Sequence, residues 1–186
     1  MTAKKRILLL TTGGTIASVP GGEGLEPRRS EVMERELEQL RTYYDISVKD
    51  VICLDSSNIR PEEWQLIARH VFEDRAGYDG IVVSHGTDTM AYTASAVTFM
   101  LPNIDVPVVF TGSQLPLTDM LSDGPDNLRT AFAMAASMSK MAGFSPGVSF
   151  RRNTSLLISE SSLLSPVRRG STSVSTTSPR LLTRAA

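Results

Sequence analysis

Three short clusters of small polar residues stand where this chain could do chemistry, each directly after an apolar run. The first is Thr11-Thr12-Gly13-Gly14-Thr15. A glycine pair lets the backbone turn sharply and aim its N–H groups at an anion or an oxyanion, with the Thr15 hydroxyl beside them. The simpler reading is a plain glycine turn whose threonines satisfy backbone groups. No Gly-Lys-Ser/Thr follows, which argues against a phosphate loop. The second cluster is His85-Gly86-Thr87-Asp88-Thr89. A helix cap accounts for one of its polar residues but not easily for all of them. A hydroxyl beside a carboxylate at a helix start suits proton relay and the binding of charged substrates. The third is Asp55-Ser56-Ser57-Asn58. Its hydroxyls suit a substrate carboxylate or amine, and equally a turn that leads into the next helix.

These clusters need a scaffold that brings them together. Apolar runs at 6–11, 46–54, 80–84 and 107–111 read as strands, the shorter ones bounded by Gly or Pro. Between them, 61–74 reads as a helix opened by Pro61, with Trp64, Ile67, Ala68 and Val71 on one face. Residues 30–41, 89–101 and 125–142 also read as helices, the first with Ser30 as N-cap. Residues 17–29 and 112–123 read as loops. Repeated strand-then-helix units predict an α/β fold, a parallel sheet with helices on both faces. Ligands of such sheets bind beyond the carboxyl ends of the strands, which is where all three clusters fall.

Composition bounds the partners. The chain has 186 residues, a net charge of −1 and 41% hydrophobic residues, an ordinary globular make-up. Near-neutral charge gives no reason to expect nucleic-acid or membrane-surface binding. The single cysteine, Cys53, excludes an internal disulfide and suits a reducing, cytoplasmic setting. Two histidines and one cysteine show no metal-ligand spacing, so no metal site is expected. Cys53, Trp64 and Met134, Met138 and Met141 read as packing residues, and His70 as solvated or half-buried. The averages hide a seam, however. Residues 1–142 carry 19 acidic and 13 basic residues, whereas 143–186 carry one acid and six arginines. Serine divides 11 and 11 between these unequal parts, and 143–186 contain no lysine. Polar low complexity at 171–178 predicts poor order there, with Leu156 to Ile158 an isolated apolar island.

Taken together, the clusters resemble a known pair of signatures. LTTGGTIAS at 10–18 and DGIVVSHGTDTMAYTASA at 79–96 resemble those of the bacterial-type asparaginase/glutaminase family. LDSSNIRPEEW at 54–64, PVVFTGSQLPL at 107–117 and SDGPDNL at 122–128 fit the same pattern, over about residues 4–142. The pattern is most similar to the cytoplasmic, type I branch. The resemblance implies that Thr15 is the primary nucleophile and that Thr87 and Asp88 belong to a second triad with a later lysine. It implies that Ser56, with Ser57 beside it, and Thr87 and Asp88 bind the substrate, Ser56 at the α-carboxylate and Asp88 at the α-amino group. The implied reaction is hydrolysis of L-asparagine to L-aspartate and ammonia through an acyl-enzyme, without metal or organic cofactor. A homo-oligomer is the family's form. The related subunit of a tRNA-dependent amidotransferase carries extra sequence ahead of the first strand. A strand starting near residue 6 favours the asparaginase.

Two departures shape the expectation. Many relatives place a tyrosine in the loop after the nucleophile, and Leu25 falls near that position here, with Tyr43 and Tyr44 too far along to replace it. The triad lysine should follow the helix at 125–142, yet no lysine follows Lys140. The expected organisation is therefore a partial asparaginase N-terminal catalytic domain at 1–142 and an atypical Ser/Arg-rich tail at 143–186 from a shifted reading frame or an equivalent rearrangement. The expected alternative to an active hydrolase is a truncated, catalytically impaired remnant that acts, if at all, as a binding module.

Overall fold

The computed structural model describes residues 3–21, 24–27, 30–138, 148–151 and 155–158. Four strands form the parallel sheet that the sequence predicts. They are β1 (Lys5–Gly13), β4 (Tyr44–Leu54), β5 (Gly80–Ser84) and β6 (Val108–Thr111), in the spatial order β4-β1-β5-β6. All three pairings are parallel, for example Leu8 opposite both Ser47 and Ile81. The period of two in a strand sends alternate residues to opposite faces. Leu8 and Leu10 pack with Ile81, Val83, Val108 and Phe110 on one face, and Ile7 and Leu9 with Val82 and Val109 on the other. A sheet buried on both faces needs such uninterrupted apolar runs. Each fully buried Leu, Ile or Val side chain contributes about 1.5–3 kcal/mol.

The helices cover both faces as expected. α2 (Pro61–Asp74) and α3 (Met90–Met100) form one layer, burying Ile67, Ala68, Val71, Ala94 and Val97. Trp64 links them through its indole N–H, which donates to Thr93 Oγ1 at 3.0 Å. α1 (Glu34–Leu40) and α4 (Gly124–Met138) form the other, burying Leu37, Leu128, Ala131, Phe132 and Ala135. The chain leaves β1 toward β4 on one side and later leaves β5 toward β6 on the other. The sheet therefore has its switch point between β1 and β5, where a crevice opens at the carboxyl edge.

Three details differ from the sequence reading. The loop expected at 17–29 contains a two-stranded antiparallel hairpin, β2 (Ser18–Gly21) and β3 (Gly24–Pro27). The helix expected from Ser30 begins instead at Glu34, with Met33 at its N-cap and Ser30 opening a 3₁₀ turn, Ser30–Met33. The tighter turn accompanies full burial of Met33, so core packing outweighs the local capping preference. Beyond the seam, β7 (Val148–Arg151) and β8 (Ser155–Ile158) extend the sheet. β8 runs antiparallel to β6, with Phe110 opposite Leu156, and β7 runs antiparallel to β8. An apolar run otherwise read as an island thus pairs the edge that β6 would leave open. The poor order expected at 171–178 concerns residues outside those described, as do residues 139–142 of the helix expected at 125–142.

Candidate active site

The three polar clusters meet at the carboxyl edge because their turns lie against one another. Gly14, just after β1, has φ 77° and ψ 177°. This backbone geometry favours glycine. A Cβ on Gly14 would also lie 2.4 Å from the Gly86 backbone nitrogen. Gly86 in turn has no room for a Cβ, which would lie 2.5 Å from Ser56 Oγ. The turn after β1 therefore rests on the turn after β5, which rests on the turn after β4.

Hydrogen bonds separate structural from available groups within each cluster. In the first, Thr11 donates to Asp50 Oδ1 at 2.6 Å and Thr12 donates to the Ser84 carbonyl at 2.9 Å. In the second, Thr89 donates to the Ser56 carbonyl at 2.8 Å. In the third, the Ser57 hydroxyl donates to Asp55 Oδ1 at 2.7 Å. The side chains of Thr15, Ser56, Thr87 and Asp88 make no hydrogen bond among the described residues, and all four line one cleft of about 100 Å³. Polar groups left without internal partners at a concave, open position are available to a ligand. Each cluster contributes at least one.

Of the expected site residues, the structure brings together Thr15, Ser56, Thr87 and Asp88, with Gly14. Ser57 is the exception. It is absent from the cleft lining, and both its N–H and its hydroxyl turn to Asp55 Oδ1. Those two bonds hold the Asp55 carboxyl below its ordinary range. Asp55 and Ser18 line the cleft, although sequence assigns neither of them a role of its own. Ser18 Oγ donates to the Gly14 carbonyl at 2.9 Å and so braces the turn. A second brace that residue type alone does not reveal is buried Asn127. Its amide donates to the Gly112 carbonyl at 2.9 Å and to Asp123 Oδ2 at 2.8 Å, tying α4 to the loop after β6.

No described lysine reaches the cleft. Lys5 pairs with Asp79, Lys49 with Asp74, and Lys4 donates to the Arg41 carbonyl. Lys140 lies outside the described residues. Leu25 lies on β3. Tyr44 sits opposite Lys5 at the amino end of the sheet, against Phe132, so it stands far from the carboxyl-edge cleft. Among the described residues, no helix is long and apolar enough to cross a membrane.

His85 stands behind the cleft, fully buried, with its Nδ1 2.7 Å from the Gly86 carbonyl and its ring edge-on to Phe110. That distance assigns the proton to Nδ1, which donates to the carbonyl. Nε2 is buried without a partner. Burial pushes the imidazole below its ordinary value, against a smaller opposing effect of the Gly86 bond. The folded chain thus binds fewer protons than the unfolded one once pH falls below about 6.5. Stability should fall from that pH downward until the lower, folded value is passed. Urea midpoints at pH 7.5 and 5.5 should drop further for the natural chain than for His85→Asn; an equal drop in both would show that His85 does not carry the effect.

An open four-stranded parallel sheet with helices on both faces, and a hydroxyl-rich cleft at its switch point, defines a doubly wound α/β domain with a candidate ligand site. The family model for asparaginase, N-terminal, matches residues 6–154, and the chain belongs to the asparaginase family. It is 48% identical over 132 residues to the L-asparaginase of Thermococcus kodakarensis, covering 70% of this chain and 40% of that one. It is 42% identical over 139 residues to L-asparaginase 1 of Escherichia coli K12, covering 72% and 41%. The solved thermostable L-asparaginase from Thermococcus kodakarensis superposes with a TM-score of 0.65 at 44% identity, covering 71% and 41%. The chain thus spans about two-fifths of the length of these L-asparaginases.

Proposed function

We propose that the cleft binds L-asparagine and carries the amidohydrolase chemistry of the family, at a rate held low in this chain. The observation that carries the reading is the set of unpartnered groups from three separate clusters facing one cleft. Thr15 Oγ is the nucleophile. It bonds to the side-chain carbonyl carbon, the C–N bond breaks, and ammonia leaves with the threonine proton. Water then cleaves the acyl ester and releases L-aspartate. The Gly14 N–H is taken by the Leu54 carbonyl at 3.0 Å, so the developing oxyanion falls to backbone N–H groups beyond it in the turn. Ser56 holds the α-carboxylate and Asp88 the α-amino group, with Thr87 beside them for proton relay. Residues 1–142 hold every proposed site residue of a partial catalytic domain in a cytoplasmic protein, and from 143–186 the strands β7 and β8 join its sheet.

A threonine hydroxyl is a weak nucleophile unless a neighbour takes its proton. Thr15 Oγ1 makes no hydrogen bond to such a neighbour among the described residues. This favours the second reading within the same site, a remnant that binds the amino acid and turns it over slowly. Ammonia release from L-asparagine by the purified chain tests both. We expect a rate orders of magnitude below an ordinary enzyme, lost in Thr15→Ala. Turnover at an ordinary enzymatic rate would overturn the impairment, and residual release unchanged by Thr15→Ala would overturn the assignment of the nucleophile.

A further inference from the structure

We infer that β4 is an edge through which two copies of this chain join, pairing antiparallel about a two-fold axis at Ser47. The inference does not depend on what the cleft binds. Among the described residues, β4 pairs with β1 on one side and with no strand on the other. It has 11 residues and contains no proline. A long open edge presents a row of unpaired backbone groups, a template for another strand. The apolar side chains of β4 show the same incompleteness. Ile46, Val48, Val51, Ile52 and Leu54 are all partly exposed, whereas Ile7, Leu8, Leu9 and Leu10 of the neighbouring β1 are buried. A further strand alongside would complete both layers.

The occupant is a second copy because β4 is complementary to itself. Its register with β1 is regular from Tyr44, opposite Lys5, to Asp50, opposite Thr11, and shifts beyond that. Ser47 is the middle of this regular stretch. A two-fold axis sets residue i opposite residue j and j opposite i. Centred on Ser47, Asp45 of each copy faces Lys49 of the other, and Ile46 faces Val48. The two faces of the sheet agree with this. Ser47 and Lys49 stand opposite Leu8 and Leu10, on the side that α2 and α3 cover, and Asp45 shares their face. Ile46 and Val48 pack on the α1–α4 side. Opposite charges therefore meet on one face and apolar side chains on the other, twice in each pair of copies. An axis at Asp45 or at Lys49 would instead set like charges directly opposite, which is destabilising. Asp45 is exposed and makes no ion pair among the described residues. Lys49 Nζ lies 2.7 Å from Asp74 Oδ2, and an ammonium has further N–H groups for a second carboxylate.

Sedimentation velocity on the full 186-residue chain should show a concentration-dependent dimer. Asp45→Lys sets lysine against lysine at both pairs, and Lys49→Asp sets aspartate against aspartate. Each should weaken the dimer by about tenfold or more. An equimolar mixture of the two variants restores an opposite pair at both positions and should dimerise where neither variant does alone. Lys49→Asp also loses its bond to Asp74, so a cross-link supplies a second test that leaves Lys49 in place. In a Cys53→Ser background, Ser47→Cys puts two thiols opposite each other at the axis. Their Cα atoms would lie about 4.5–5.5 Å apart, within disulfide reach. Asp45→Cys would leave its two copies about 14 Å apart along the strand. Mild oxidation should therefore yield a linked dimer with Ser47→Cys and not with Asp45→Cys. A natural chain that stays monomeric at every soluble concentration would overturn the inference. So would a dimer that Ser47→Cys fails to link, or that Asp45→Cys links equally well, because the contact would then lie elsewhere or in another register.

Discussion

Gly14→Ala should cost the fold about 3 kcal/mol or more and abolish ligand binding at the cleft. Two penalties add at this position. A φ of 77° strains any L-residue by about 1–3 kcal/mol. The new methyl group would also sit 2.4 Å from the nitrogen and 2.5 Å from the Cα of Gly86. Those are backbone atoms, which cannot rotate aside as a side chain would, so the turns after β1 and β5 must separate. Overpacking of this kind costs about 1–3 kcal/mol more. For a domain of this size the combined loss lowers the melting temperature by about 10 °C. Gly77→Ala supplies the comparison. Its added methyl would meet only the Arg6 guanidinium, at 3.7 Å. Thermal melts should place Gly77→Ala within about 2 °C of the natural chain, on the scale of a surface substitution. A Gly14→Ala chain as stable as Gly77→Ala would mean that the turns are not interlocked.

That interlocking explains how far the sequence could be read. The sheet was legible because Ile7–Leu10, Ile81–Val83 and Val108–Phe110 are apolar runs too short for helices, and Pro61 marks a helix start that the structure keeps. The positions of Thr15, Ser56, Thr87 and Asp88 followed from the ends of those strands. What stayed hidden depends on contacts between distant segments. Ser56 and Ser57 are adjacent and of one type, and only the fold shows that Ser57 turns to Asp55 while Ser56 remains available. Ser30 has the right type for a cap, yet burial of Met33 moves the helix start to Glu34. The hairpin of β2 and β3 was obscured by its Gly, Pro and Glu content, which reads as loop even where the backbone pairs. Likewise, four residues at 155–158 signal nothing alone, and their strand is defined by the β6 edge they join.

Phe110→Ala should be the most destabilising single truncation on the α2–α3 side of the sheet, at about 3–5 kcal/mol. Phe110 is fully buried in β6, among the residues that α2 and α3 cover. Its removal leaves a cavity between the sheet and α3, which close packing cannot fill without moving backbone. Phe132→Ala, on the opposite layer, removes an equally buried ring and should cost a similar amount. The two differ in what they touch. Phe132 lies against Tyr44 at the amino end of the sheet, away from the cleft. Phe110 lies against His85, whose N–H donates to the Thr111 carbonyl at 2.8 Å and whose ring holds the Gly86 carbonyl. Losing Phe110 therefore frees the imidazole that orients the peptide just before Thr87, whereas losing Phe132 leaves that peptide in place. Denaturant titration should report similar stability losses for the two variants. L-asparagine titration under conditions where both remain folded should show weakened binding for Phe110→Ala alone. Equal binding by both would show that the cleft is insulated from the core beneath it, and that the interlocked turns suffice to shape it.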